Sequence, residues 1–269
     1  MMKRMLVVGG AGGIGLSIAT EMAASSACEK VYIIDKSPLP EEYGNPKFEY
    51  FRFDLESEDY SIFDGFDDID SLMITAGFGH LSLFKDVTEQ YISSSFAVNG
   101  IAPVRIIHRF MPRLLGKEDF HCGVMVSIAG FMSSPFFAVY GATKAALKIF
   151  IESVNVELLK SGSGNRILNV SPGSIAGTGF RQGRTDLNAL SGLSTEIIRH
   201  LSQKDDLFIP DYEKVYKEVL ERYSRDFRKE GIHSYEYKLK GLKGENGWPG
   251  SCHFPEMTWS RRNFRTVSV

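Results

Sequence analysis

Three residues in the middle of the chain carry side chains that can hold or move a proton: Ser127, Tyr140 and Lys144. Tyr140 and Lys144 are four residues apart, so on an α-helix they share one face. An ammonium group beside a phenol favours the phenolate, which predicts that the pKa of Tyr140 falls toward neutrality. Ser127 ends an apolar run and can hydrogen-bond a substrate oxygen. Together the three residues predict acid–base chemistry at an oxygen atom. Taken separately, Tyr140 and Lys144 could be an ordinary pair on a helix surface, and Ser127 could be a turn residue at the end of a strand.

A glycine-rich segment near the start suggests a place for a phosphate-bearing ligand. It reads Gly9-Gly10-Ala11-Gly12-Gly13-Ile14-Gly15 and lies between an apolar run and a helical pattern. Glycines at 9, 13 and 15 let the backbone approach a pyrophosphate at a helix N-terminus, which carries partial positive charge. A tight turn would also use glycines, but the position between strand and helix favours nucleotide binding.

Asp35 ends the second apolar run, 20 residues beyond Gly15. A carboxylate at this place can accept hydrogen bonds from an adenosine ribose and would repel a 2′-phosphate. The neighbouring cation Lys36 could tolerate that phosphate, and a turn aspartate is the plain alternative. We therefore expect NAD as the cofactor, with NADP left open.

Short apolar runs alternate with helical patterns along the first two thirds of the chain. Such repeated units predict an α/β fold with a doubly wound, parallel, Rossmann-like sheet. The predicted helical segments are Ile14–Ala24, Glu89–Leu115 and Val139–Lys160. The predicted strands are Leu6–Val8, Val31–Ile34, Phe48–Phe53, Leu72–Thr75, Val124–Ser127 and Ile167–Val170.

Length and composition limit the function classes. The 269 residues, 43% of them hydrophobic, suit one domain, with a cofactor and catalytic core over 1–173 and a small C-terminal lid region over 174–269. A formal net charge of -2 makes nucleic acid an unlikely partner class. Cys28, Cys122 and Cys252 have neither metal-ligand spacing nor an even count, so no metal and no disulfide framework is expected. We find no apolar run long enough for a signal peptide or a membrane span, and we expect a cytoplasmic protein.

The last third of the sequence gives weaker signals. Residues Tyr212–Lys229 predict one amphipathic helix, with Val215, Val219, Leu220 and Tyr223 on one face. Ser234–Leu239 is a weak candidate for a strand. The polar residues Arg181, Gln182 and Arg184 indicate either a polar or anionic substrate or a solvated loop.

Several ordered motifs over about residues 5–180 resemble the short-chain dehydrogenase/reductase family, in its smaller single-domain branch. The 13-residue separation of Ser127 and Tyr140 is the one usual in that family. Val8, Ile74 and Thr75 depart from its pattern, as does Gly177 where a threonine is usual. The motifs are Val8 to Gly15, Asp54-Leu55, Ala76-Gly77, Asn99, Ser127 to Gly130, Tyr140 to Lys144 and Pro172-Gly173.

The resemblance implies roles for these residues. Ser127, Tyr140, Lys144 and Asn99 would form a catalytic tetrad, and Tyr140 and Lys144 would also contact the cofactor. Asp54 and Leu55 would contact adenine, and Ile175 the carboxamide. The remaining cofactor-binding residues would be Gly9, Gly13, Ile14, Gly15, Asp35, Ala76, Gly77, Pro172 and Gly173.

The implied reaction is hydride transfer between a nicotinamide cofactor and a small-molecule carbonyl compound or alcohol, with Tyr140 as acid/base. A nucleotide-sensing regulator of the same fold and a sugar-nucleotide epimerase or dehydratase are the alternatives. The intact Ser127, Tyr140 and Lys144 argue against the sensor, and the glycine spacing argues against the epimerase. The sequence does not name the substrate or the physiological direction.

Two further expectations concern the long helices. The family often dimerises through the helices that follow strands four and five, so we expect a homodimer or homotetramer, with Phe96, Ile107, Phe110, Phe150 and Val154 as apolar area.

Pro103 has no amide hydrogen, so the carbonyl of Asn99 loses its helical partner. We expect a kink there and, by resemblance, a water on that carbonyl that links Lys144 to solvent; a simple bend around the core is the alternative.

Overall fold

The structure is a computed structural model that describes residues 2–178 and 184–242. Seven parallel strands form one sheet in the order β3-β2-β1-β4-β5-β6-β7. Because the order reverses between β1 and β4, a crevice opens there at the carboxyl edge, where ligands bind in such sheets. The strands are β1 (Arg4–Val8), β2 (Lys30–Asp35), β3 (Phe48–Arg52), β4 (Ser71–Ile74), β5 (His121–Met125), β6 (Arg166–Val170) and β7 (Leu207–Phe208). The predicted doubly wound α/β fold is confirmed.

Helices cover both faces of the sheet. On one face, α3 and α4 pack over residues such as Leu72 and Val124 of the strands. On the other face, α1 and α5 pack over residues such as Val7 and Met125. The helices are α1 (Gly13–Ala24), α2 (Glu89–Phe96), α3 (Ala102–Leu115), α4 (Ala138–Lys160), α5 (Leu187–Gln203), α6 (Lys217–Arg225) and α7 (Phe227–Leu242).

The strands are short and apolar because both of their faces are covered. In β1, residues Met5 to Val8 are at most 1% exposed, and β4 is buried along its whole length. Parallel strands buried on both faces lose the alternation of polar and apolar residues, which is why continuous apolar runs predicted them. Three predicted ends were too long, since β3 ends at Arg52, β4 at Ile74 and β5 at Met125.

The C-terminal third differs from the sequence predictions. The segment predicted as one helix over Tyr212–Lys229 consists of a π-helical turn at Tyr212–Tyr216, then α6, then the start of α7. Asp226 separates the two helices, because its backbone is extended and its carboxylate accepts hydrogen bonds from the amides of Arg228 and Lys229. This is N-cap geometry, which starts a new helix. The tentative strand at Ser234–Leu239 is wrong, since these residues are helical in α7.

The apolar face expected to support dimerisation needs correction. Ile107, Phe110 and Val154 are at most 8% exposed and belong to the core beneath the sheet, so they offer no area to a partner. Phe96 is 37% exposed, and Phe150 packs partly against the same core. Besides Phe96, the exposed large apolar residues on these helices and on the turn between α2 and α3 are Ile101, Leu115, Ile149, Val156 and Leu159.

Two of the three cysteines lie among the described residues. Cys28 and Cys122 are buried free thiols, whereas Cys252 lies outside the described residues. Within residues 2–178 and 184–242, no helix has the length and apolarity that crossing a bilayer requires.

Candidate active site

The glycine-rich loop joins β1 to α1 and packs tightly against the end of β4. Gly9 has a φ of +87°, and a Cβ at that position would stand 2.5 Å from the amide nitrogen of Ala76. A Cβ on Gly15 would stand 2.1 Å from the Gly9 carbonyl oxygen. Any larger side chain would push the loop away from the sheet, so both glycines are needed for the first turn of α1 to open onto the crevice.

Asp35 ties this loop to the end of β2. Its two carboxylate oxygens accept hydrogen bonds from the amides of Ala11, at 3.1 Å, and Ser37, at 2.9 Å. The side chain is only 7% exposed, and burial raises the pKa of this carboxyl while the backbone amides oppose that rise. Asp35 therefore holds the loop in shape and also presents a carboxylate to the cleft beside it.

A cleft runs along the carboxyl edge of the sheet from β3 to β4. Six residues predicted as cofactor contacts line it together: Gly9, Asp35, Asp54, Leu55, Ala76 and Gly77. Sequence reasoning did not assign the other six, which are Val8, Ile34, Lys36, Phe53, Phe78 and Val98. Eight of the predicted contacts lie outside this lining: Gly13, Ile14, Gly15, Tyr140, Lys144, Pro172, Gly173 and Ile175. Among them, Ile14 has its side chain in the core, and Ile175 packs partly against the same core cluster.

Thr75 is a residue whose role the sequence did not indicate. Its side chain is fully buried, and its hydroxyl lies 3.0 Å from the carbonyl oxygens of both Val8 and Gly9. It fastens the end of β4 to the glycine-rich loop where the family commonly has asparagine. The sequence signal that could have indicated this role is the small hydroxyl side chain of Thr75 at the end of a buried apolar run.

Ser127 and Tyr140 meet at the same edge, beyond the end of β5. Their hydroxyl groups are hydrogen-bonded to each other, and the two side chains are 8% and 5% exposed. Ser127 is held by its place at the start of a short 3₁₀ turn, Ile128–Gly130, where its hydroxyl accepts a bond from the Ala129 amide at 3.2 Å. Burial raises the pKa of Tyr140 to about 12, and the bond with Ser127 acts in the opposite direction.

Lys144 lies one helical turn after Tyr140 and is 1% exposed. Its ammonium donates to the Met125 carbonyl at 2.9 Å and lies 5.6 Å from the centre of the Tyr140 ring. Burial lowers the pKa of Lys144 to about 7. The expectation that Lys144 lowers the pKa of Tyr140 is therefore wrong for the free protein, because desolvation removes much of the charge that would do so.

Asn99 lies beside Lys144 across Gly77. Its amide side chain forms two hydrogen bonds with the backbone of Phe78, at 2.7 and 2.8 Å, and is fully buried. A Cβ on Gly77 would stand 3.1 Å from the Asn99 side-chain oxygen and 3.2 Å from the Lys144 nitrogen. Gly77 thus allows both groups to approach one point at the edge of the cleft.

The helix changes geometry at Asn99. A π-helical turn, Ala97–Ile101, separates α2 from α3, and the amide of Ala102 bonds the carbonyl of Ala97. Pro103 follows in the first turn of α3, where it has no amide hydrogen to offer to Asn99. π-turns inside helices often mark functional sites. The water relay from this carbonyl stays a prediction.

The end of β6 carries Pro172 and Gly173. The Pro172 carbonyl accepts a bond from the Ile128 amide at 3.0 Å, which joins this edge to the Ser127 turn. Tyr216 packs over Gly173, since a Cβ there would lie 1.6 Å from the tyrosine hydroxyl oxygen. Thr178 is buried, and its hydroxyl donates to the Ile175 carbonyl at 3.0 Å. Arg181 and Gln182 lie outside the described residues, and Arg184 is exposed.

Comparison with known proteins places this geometry in a family. A family model described as short chain dehydrogenase matches residues 3–188. The chain belongs to the short-chain dehydrogenase family. Its relatives in that family include proteins named as dehydrogenases and oxidoreductases.

Two similar relatives are dehydrogenase RED2 of Cochliobolus heterostrophus and sorbitol-6-phosphate 2-dehydrogenase of Klebsiella pneumoniae. The first is 28% identical over 172 residues, which are 61% of this chain and 63% of that protein. The second is 28% identical over 194 residues, which are 66% of this chain and 70% of that protein. The chain thus spans less than two thirds of the length of the first.

Solved structures share the fold. A short-chain dehydrogenase/reductase from Burkholderia phymatum, in complex with NAD, has a TM-score of 0.71 at 17% identity and covers 84% of this chain and 94% of that one. The protein ElxO with NADP bound has a TM-score of 0.62 at 17% identity, over 79% of this chain and 99% of that one. Of these two proteins that share the fold, one was solved with NAD and the other with NADP.

Proposed function

We propose that this short-chain dehydrogenase interconverts a carbonyl compound and a secondary alcohol with NAD(P), and that Tyr140 is its acid/base. One observation carries the proposal: the hydroxyls of Tyr140 and Ser127 are joined by a hydrogen bond. They lie at the edge of the sheet that also forms the cleft beside Asp35. A substrate oxygen placed between these two hydroxyls would meet both a proton donor and a second hydrogen-bond partner.

The groups along this edge fit a dinucleotide. The first-turn amides of α1 suit a pyrophosphate, and the glycine-rich loop itself places no side chain between them and the ligand. Asp35 and the cleft residues Asp54 and Leu55 suit an adenosine, and Gly77 leaves room near Lys144 for a ribose. When bound, the cofactor supplies or accepts the hydride.

The protein's own side chains manage the proton. With its pKa raised to about 12, Tyr140 carries its proton at pH 7, as a general acid in carbonyl reduction must. Ser127 holds the substrate oxygen and fixes the direction of the Tyr140 hydroxyl. Lys144, whose pKa lies at about 7, can give up or take a proton near neutral pH. It is therefore suited to restore the proton that Tyr140 gives away.

We also propose that solvent protons reach Lys144 past Asn99. The position of Gly77 between the two side chains supports this path, as does the π-turn at Asn99. A water bound at the Asn99 carbonyl would complete it, because Pro103 has no amide hydrogen to offer to that carbonyl.

Asp35 supports a preference for NAD. A 2′-phosphate beside this carboxylate would be repelled, although Lys36 lines the same cleft and would offset part of the repulsion. Each oxygen of Asp35 accepts at least one backbone amide, and a carboxylate oxygen can also accept a bond from a ribose hydroxyl.

The test is a panel of carbonyl compounds and secondary alcohols, assayed in both directions through the absorbance of NADH or NADPH. We expect turnover of at least one pair by the wild type and none by Lys144→Met. Binding of the cofactors without turnover of any pair would instead favour the nucleotide sensor.

A further inference from the structure

A short segment before α5, residues 184–186, lies across the glycine-rich loop. The hydroxyl oxygen of Thr185 accepts a hydrogen bond from the Gly13 amide at 2.8 Å, although the two residues are 172 apart in sequence. The same oxygen would lie 3.6 Å from a Cβ on Gly12. A side chain from the C-terminal part of the chain therefore takes one of the amides that begin α1.

Other contacts hold this segment in place. The Tyr43 hydroxyl donates to the Thr185 carbonyl at 3.3 Å, and the Asp186 amide donates to the Gly177 carbonyl at 3.0 Å. Asp186 also caps α5 through the Ala189 amide at 3.1 Å. Thr185 is thus fixed on both sides and does not project freely into solvent.

The helix that follows anchors the segment to the body of the protein. α5 packs along α1, where the Ser194 hydroxyl lies 2.8 Å from the Ser17 hydroxyl and Ser191 donates to Glu21 at 2.5 Å. Because α1 directly follows the glycine-rich loop and α5 directly follows the segment with Thr185, the packing of the two helices sets the Thr185 hydroxyl against the loop.

A phosphate at this helix N-terminus would accept a hydrogen bond from the amide that Thr185 now holds. The amide has one hydrogen, so it cannot give a full bond to a phosphate oxygen and to the threonine hydroxyl together. We propose that Thr185 occupies the pyrophosphate position of the cofactor site in the free protein and must leave it before a dinucleotide binds. This inference rests on the proposed cofactor function.

The competition has a direction that can be measured. Removing the Thr185 hydroxyl weakens the closed arrangement but takes nothing from the bound one, so the cofactor should bind more tightly. One net hydrogen bond changes an equilibrium about two- to tenfold. The gain should appear in the association rate, because the contact exists only before binding, and the dissociation rate should stay the same.

The experiment compares wild type, Thr185→Ala and Thr185→Ser by stopped-flow fluorescence with NADH and by calorimetry with NADH and adenosine. We expect Thr185→Ala to bind NADH about two- to tenfold more tightly. Thr185→Ser keeps the hydroxyl and should match the wild type. Adenosine has no phosphate to compete for the Gly13 amide, so its affinity should be equal in all three proteins.

Different failures have different meanings. An unchanged NADH affinity in Thr185→Ala would overturn the competition, and a weaker one would show that Thr185 is instead a ligand of the bound cofactor. An equal gain for adenosine would show a general loosening of the site and would also overturn it. If none of the three proteins binds NADH, NADPH or adenosine, the proposed cofactor function fails and this inference falls with it.

Discussion

Replacing Lys144 with methionine should stabilise the free protein while removing its activity. Lys144 is fully buried, and burial alone lowers its pKa from 10.5 to about 7. A base with a folded pKa below its unfolded value destabilises the fold most at low pH, and this cost fades as the pH rises from 7 toward 10.5. Methionine has a similar length and no charge, so it removes the cost.

The size of the effect follows from the two pKa values. Burying Lys144 costs about 4 kcal/mol at pH 7 and about 2 kcal/mol at pH 9. Methionine also loses the bond to the Met125 carbonyl, which offsets the gain by about 1 to 2 kcal/mol at either pH. We expect Lys144→Met to be more stable than wild type by about 2 to 3 kcal/mol at pH 7, and its advantage to shrink by about 2 kcal/mol at pH 9.

The assay is urea unfolding of the cofactor-free proteins at both pH values. Burial also lowers the pKa of Lys238, to about 8. Because of this lysine, the free energy of unfolding of the wild type and of both variants rises with pH. The comparison is therefore between variants, and Lys160→Met, at an exposed lysine of the same helix, is the control. If Lys144→Met is less stable at pH 7, or shows the same pH dependence as the wild type, the ammonium is not destabilised by burial and our reasoning about Lys144 is wrong.

Three further predictions concern the Asp35 carboxylate, the contact between Gly173 and Tyr216, and the exposed face of α4. NADH should bind more tightly than NADPH, and Asp35→Ala should narrow that gap while weakening both, since the Ala11 amide loses its acceptor; equal binding of both cofactors by the native protein in calorimetry would contradict this. Gly173→Ala should lower activity because its methyl meets the Tyr216 hydroxyl, and the loss should be smaller in a Tyr216→Ala background; the same loss in both backgrounds would exclude the clash. The protein should be at least a dimer by light scattering at micromolar concentration, and Ile149→Glu, on the exposed face of α4, should shift it toward monomer; a monomeric wild type would refute the assembly.

The sequence predicted the fold because its signals were local and agreed with one another. The buried strands appear as continuous apolar runs, and the glycine-rich segment lies between the first strand and the first helix, so the phosphate-binding turn could be placed at the start of α1. The Ser127 and Tyr140 side chains could be assigned to one edge because both follow β5 at the carboxyl end. None of this required knowledge of long-range packing.

What the sequence could not supply depends on long-range contacts. Thr185 and Gly13 are 172 residues apart, and no pattern pairs a threonine before one helix with an amide at the start of another. The pKa of Lys144 depends on how completely α4 and β5 exclude water, which the four-residue spacing does not show. Asp226 is an N-cap that interrupts an otherwise continuous amphipathic pattern, so periodicity alone joined α6 to α7.

The most direct test of the proposed chemistry is the turnover of Tyr140→Phe. This variant keeps the ring and its packing beside Phe137 but removes the hydroxyl that meets Ser127. With a substrate pair found in the panel, we expect turnover to fall by about two orders of magnitude or more, as for the loss of a positioned general acid, while NADH binds as tightly as it does to the wild type. Near-native turnover by Tyr140→Phe would contradict the assignment of Tyr140 as the acid/base.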